Sequence, residues 1–161
     1  MTQEELKIQQ LQMEIAELKS KLDLYKHDPL TGLLMRRDFD AKLREIWNLQ
    51  ENFFLCLVDV NGLHNVNREL GYDAGDRLIK RVAYDIVERF QGIPFRIGGD
   101  EFAIICFQDK KVDIENTIIR CAYKTEVDNL DELIKLADNR LIKAKKELYK
   151  GEDDRRKECQ L

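Results

Sequence analysis

A chain of 161 residues with net charge −4, from 27 basic and 31 acidic residues, has room for one core and an appendage. Its mild acidity excludes the broad basic surface of a nucleic-acid binder. The polar start Met1-Thr2-Gln3-Glu4-Glu5 and the lack of any apolar run of about 18 residues exclude a membrane partner and predict a soluble, cytoplasmic protein.

From residue 1 to 27 the chain carries Ile8, Leu11, Ile15, Leu18, Leu22 and Tyr25 at alternating spacings of three and four, with mostly polar residues between them. That is a heptad seam, and it predicts a coiled-coil helix joining two copies in a parallel homodimer. The alternative is a single amphipathic helix lying on its own domain. Pro29 pushes Asp28 out of the α region, so the helix stops there and a second unit covers 28–150. Within it, apolar periodicity predicts helices over 36–47, 76–90 and 130–148. Strands are expected over 53–60, 93–97, 102–107 and 117–123. The charged tail, 151–161, is expected to fray. Cys56, Cys106 and Cys121 each fall in an apolar strand-like run, so they are expected to be buried free thiols, while Cys159 sits in the tail. His27 and His64 are too isolated to suggest zinc.

The order helix, strand, helix, hairpin, strand, helix is that of an α+β fold, with a ferredoxin-like or palm-type antiparallel sheet and packed helices. The hairpin tip reads Arg96-Ile97-Gly98-Gly99-Asp100-Glu101-Phe102, two glycines followed by two carboxylates. Glycine accepts positive φ and lets a ligand approach the main chain, and adjacent carboxylates repel unless a cation lies between them. Such a sheet sets the end of the first strand, with Asp59, beside that tip. Three converging carboxylates are hard oxygen ligands suited to Mg²⁺ completed by substrate phosphates. The alternative is an ordinary turn with solvated acids.

Three segments then carry a resemblance to the GGDEF domain family of diguanylate cyclases, running from Asp28 to about Lys145. They are Asp28-Pro29-Leu30-Thr31-Gly32-Leu33 followed by Arg36-Arg37; Asp59-Val60-Asn61-Gly62-Leu63-His64-Asn65-Val66-Asn67 with Gly71, Gly75 and Asp76; and the signature Gly98-Gly99-Asp100-Glu101-Phe102. The resemblance implies a dimeric enzyme that condenses two GTP into cyclic di-GMP and releases two pyrophosphates, with Mg²⁺ or Mn²⁺ as cofactor. By it, Asp59, the Val60 carbonyl, Asp100 and Glu101 hold the metal, and Asp100 and Glu101 are the catalytic acids. Asn67 and Asp76 read guanine, while Asn61, Gly62, Leu63, His64 and Lys145 meet phosphate. Asp76 has an alternative reading as a helix N-cap, worth about 1 kcal/mol. Lys145 has one as part of a solvated basic face with Lys143, Lys146 and Lys150.

Several positions depart from the family. Met35 replaces the asparagine of the opening motif, and Asn61, His64, Arg68, Tyr72 and Tyr149 stand where aspartate, lysine, an acid, histidine and a phosphate-binding arginine are usual. Weaker triphosphate binding is implied. Gly92 replaces the aspartate of the family's product-inhibition site, which leaves Arg89 expected as a solvated residue at a helix end. Where the family has a crossover helix, only 108–116 remain, a strap with a reach of about 30 Å. One sheet face should then be thinly covered and open to a protein partner or to the N-terminal helix. The second functional expectation is a weak or inactive module that senses GTP or cyclic di-GMP, and the third a dimerising scaffold.

Overall fold

Seven residues in the order Phe-Leu-Cys-Leu-Val-Asp-Val suit a strand covered on both faces, and β2, Phe54–Val60, is buried from its second residue to its last. In this computed structural model, which describes residues 2–109 and 111–158 apart from the side chains of 23, 24 and 151–158, β2 is an interior strand of a five-stranded sheet, next to its β5 edge. Strands β4 (Glu101–Cys106) and β5 (Thr117–Tyr123) flank it, both antiparallel. Outside β4 lies β3 (Gly92–Arg96), and beyond it β1 (Leu34–Met35), parallel to β3 and too short to be legible as a strand. On one face, Phe39 and Leu43 of α2 (Arg36–Asn48) and Leu133 and Leu141 of α5 (Leu130–Glu158) cover Leu55, Phe95 and Ile105. On the other, Ile79, Val82 and Ile86 of α4 (Tyr72–Arg89) cover Cys56, Val58, Phe102 and Ile104. The expected α+β sheet is present.

Four details differ from the sequence reading. Residues Leu63–Leu70 form a helix, α3, set off by Gly62 (φ 76°) and Gly71 (φ 86°); eight residues are too few for periodicity to reveal. As a result α4 begins at Tyr72, and Asp76 lies inside the helix; the residue at the cap position is Gly71, so the N-cap reading of Asp76 fails. Helix α5 continues to Glu158, past the expected end at 148, because the Glu, Arg and Lys residues of the tail favour helix; 159–161, with Cys159, lie outside the described residues. Finally, Cys56 and Cys121 face each other in the β2–β5 ladder and are joined by a disulfide with Cα atoms 4.0 Å apart. The free-thiol expectation holds for Cys106 only. Each cysteine looks apolar within its own strand, whereas pairing depends on register between strands 65 residues apart in sequence.

Register also dictates the strap. Cys106 lies opposite Phe54 and Thr117 opposite Val60, so the connection must run back along the whole of β2, about 20 Å. It does so without a helix among its described residues. Ile114, 1% exposed, anchors it in the core, and two α4 side chains hold it from outside. Arg81 pairs with Glu115 at 2.9 Å, and Arg89 donates to the Asp113 carbonyl at 3.1 Å, so Arg89 is a strap anchor rather than a purely solvated residue. Helix α1, Gln3–Leu24, leaves Ile8, Leu11, Ile15, Leu18 and Leu22 exposed, with Tyr25 exposed just beyond its end. That pattern is against the reading in which the helix lies on its own domain. Among the described residues, no helix is long and apolar enough to cross a membrane.

Candidate active site

Among the described residues, Asp59, 5% exposed, is the one buried charged side chain. Its strand register sets it opposite Glu101, and the Val60 amide donates to the Asp100 carbonyl at 2.9 Å, so the hairpin tip is fastened to the end of β2. From α5, Lys145 donates to Asp59 Oδ2. Burial pushes the Asp59 carboxyl above its ordinary value, and the charge of Asp100 adds to the rise; the Lys145 hydrogen bond opposes it without prevailing. For Lys145, burial acts to lower the ammonium pKa, but the Asp59 hydrogen bond and the charges of Asp59, Glu101 and Asp100 prevail and raise it. Three carboxylates and one ammonium therefore share a field at one end of the sheet. Lys143, Lys146 and Lys150 remain exposed, so the basic-face reading fits them and not Lys145.

The signature turn is shaped otherwise than its glycines suggest. Neither Gly98 nor Gly99 adopts positive φ. A Cβ at Gly98 would lie 2.7 Å from Glu101 Oε2, so this glycine serves close approach of the acid to its own turn. Arg96 holds the turn from below. It donates to both Asp28 oxygens at 3.0 and 2.9 Å and to the Gly99 carbonyl at 2.7 Å, while Asp28 also accepts from the Thr31 amide and hydroxyl at 2.8 and 2.7 Å. Burial acts to raise the Asp28 carboxyl, yet the Thr31 and Arg96 hydrogen bonds outweigh it and hold the group below its ordinary value. In sequence, Asp28 and Arg96 stand inside their motifs with no role of their own. The available signal was an arginine two residues before a Gly-Gly turn, with an aspartate elsewhere to match it.

Asn61, Gly62, Leu63 and His64 form the entry to α3, whose first amides have no side-chain cap. Asn67 lies on α3 against Gly75 of α4: a Cβ at 75 would fall 1.8 Å from Asn67 Oδ1, so any larger residue there would displace the Asn67 amide. That Oδ1 is buried and has no hydrogen-bond partner. Asp76 follows Gly75 and is exposed, so the two expected base-reading residues share the α3–α4 corner.

Among the described residues no three His, Cys, Asp or Glu side chains are gathered tightly enough to hold a metal ion, and Asp59 is engaged by Lys145. The donor chemistry nevertheless fits a hard divalent cation: Asp59, Asp100 and Glu101 supply carboxylates, and Val60 a main-chain carbonyl, at one sheet end.

Comparison with known proteins agrees with this geometry. The family profile described as "Diguanylate cyclase, GGDEF domain" matches residues 25–121, which contain every site residue named above except Lys145. A probable diguanylate cyclase of Escherichia coli (strain K12), DgcI, is 29% identical over 154 residues, covering 81% of this chain and 34% of that protein. A cyclic di-GMP phosphodiesterase of Shewanella oneidensis, PdeB, is 34% identical over 106 residues, covering 65% of this chain and 11% of that protein. The chain thus spans about a third or less of the length of these relatives. In fold, it matches the crystal structure of the coiled coil and GGDEF domain of DgcB from Caulobacter crescentus in complex with c-di-GMP, with TM-score 0.69 at 19% identity over 90% of this chain and 95% of that one. On the profile match, the signature turn and the sheet order together, the chain belongs to the GGDEF domain family.

Proposed function

We propose that this chain is a diguanylate cyclase, joining two GTP molecules into cyclic di-GMP with release of two pyrophosphates. One observation supports it most. A buried aspartate whose pKa stays raised beside a lysine partner adds little to folding, and the acids of Asp100 and Glu101 stand at the same end of the sheet. Active sites retain such groups at a cost in stability.

Mg²⁺ or Mn²⁺, held by Asp59, the Val60 carbonyl, Asp100 and Glu101, would lower the pKa of the attacking 3′-hydroxyl and neutralise charge on the transferring phosphate. The chain's own residues do the rest. The uncapped amides at the start of α3 receive triphosphate oxygens, where the helix end favours anions. Lys145, moving from Asp59 to a phosphate, exchanges one anionic partner for another and so keeps its charge. The Asn67 side-chain amide, whose Oδ1 has no partner against Gly75, turns to the guanine edge, and the exposed Asp76 carboxylate accepts the N1 and N2 hydrogens that adenine does not offer in the same pattern. Each chain binds one GTP, so two must face each other, and the exposed apolar seam of α1 supports a parallel coiled coil that brings them together. Asp28 and Arg96 link the segment after α1 to the signature turn.

Purified chain incubated with GTP and Mg²⁺ should yield cyclic di-GMP and pyrophosphate in a ratio of one to two, and Asp100→Ala should yield neither. Absence of product at high protein concentration overturns the proposal, and GTP binding without turnover would then mark a nucleotide-binding module.

A further inference from the structure

The thinly covered part of the sheet is a groove of about 460 Å³ at the far end of β2 from Asp59. It exists because the β4–β5 connection is a strap and not a helix. Phe54, Ile119 and Tyr123 line it from the sheet, and Phe90 and Val112 from the side. Both sulfur-bearing residues of the disulfide line it as well. Cys56 is 3% exposed, whereas Cys121, on the edge strand, is only half-buried. Around the opening stand Lys111, Arg120 and Asp109, while Arg140 pairs with Glu126 and donates to the Cys121 carbonyl at 2.8 Å.

We propose that the Cys56–Cys121 bridge is a thiol-exchange site, attacked through this groove at Cys121 Sγ by a dithiol reductant, and that its cleavage loosens β5 from the strand carrying Asp59. The attacking thiolate forms a mixed disulfide with Cys121, and the electron pair of the broken S–S bond leaves on Cys56 Sγ, which takes up a proton. The reductant's second thiol then closes on its first sulfur and releases Cys121 as a thiol. The bridge gains two electrons and two protons, and the dithiol loses the same as it becomes a disulfide. β5 is the sheet edge, paired with β2 alone, and its Ile118 lies opposite Asp59. Cutting the covalent tie leaves that pairing to the main-chain ladder and α5. The consequence for turnover rests on the cyclase reading, since a GTP-consuming enzyme works where thiol reductants keep most cysteines reduced and the disulfides that form are commonly redox sensors. Reduction then acts on the strand paired beside Asp59.

The test uses the full chain, folded, with and without dithiothreitol, alkylated with iodoacetamide and mapped by peptide mass spectrometry. The expected result is alkylation of Cys121 only after dithiothreitol, while Cys106, free and buried in the same sheet face, stays unlabelled. Amide exchange across 117–123 should become about ten-fold faster on reduction. A Cys56→Ser, Cys121→Ser variant should show the fast exchange and no response to dithiothreitol. A bridge that resists the dithiol until the chain is unfolded overturns the proposal, as does labelling of Cys106 alongside Cys121, or β5 exchange that ignores reduction. None of these readouts needs turnover. A chain that exchanges as stated yet makes no cyclic di-GMP overturns the cyclase reading alone.

Discussion

At its Phe54 end, β2 meets partners that serve the fold: the ring of Tyr123 stacked at 4.4 Å on Phe54, and apolar side chains from α4 and the strap. At its Asp59 end, a few residues along the same strand, burial is just as deep, but the residue is a carboxylate whose ionised form the fold disfavours, and its neighbours are charged. Folding physics alone explains that packing. It does not explain the second end, where an apolar residue would pack at less cost. The contrast separates what this chain keeps for stability from what it keeps for chemistry.

Substitutions can test that contrast. The largest effect should come from the structural side: Ile114→Ala removes the buried anchor of the strap and should cost about 3 kcal/mol in chemical denaturation. Its preference for GTP over ATP should not change. On the chemical side, Asp76→Ala should reduce the ratio of kcat/KM for GTP to that for ATP by about 100-fold. Thermal stability should hold, because Asp76 caps nothing. Asp28→Asn lies between the two classes, and should cost about 2 kcal/mol at neutral pH through lost charge-assisted hydrogen bonds. Because the folded pKa of Asp28 lies below the ordinary aspartate value of 3.8, its contribution is fully present above that pH and is lost as the pH falls through the folded value. The gap between wild type and Asp28→Asn in urea melts should therefore close in acid. Smallest of all, Lys143→Ala should change stability by less than about 0.5 kcal/mol and leave product formation intact, in contrast to Lys145→Ala.

Much of the scaffold was legible because it is written in periodicity. The β2 run, the α4 stripe and the signature hairpin are long or distinctive enough to place, and the connection of 108–116 is too short for a crossover helix. What escaped depended on short elements or distant pairing. Eight residues of α3 hid the true start of α4 and made Asp76 look like a cap. The disulfide required the β2–β5 register, and the Asp28–Arg96 clamp joins residues 68 apart in sequence. Lys145 was legible by family motif alone, since the surrounding lysines share its composition; only burial against Asp59 singles it out.

The most direct measurement is Asp59→Asn, read for product and for thermal stability on the same preparation. Folding favours the neutral form of this group, so the isosteric amide removes a penalised charge, and the long Lys145 side chain can carry its ammonium toward solvent. Cyclic di-GMP formation should fall by about 100-fold or more while Tm holds or rises. Undiminished turnover, or a Tm lower by more than about 5 °C, would contradict the assignment of this end of β2 to chemistry.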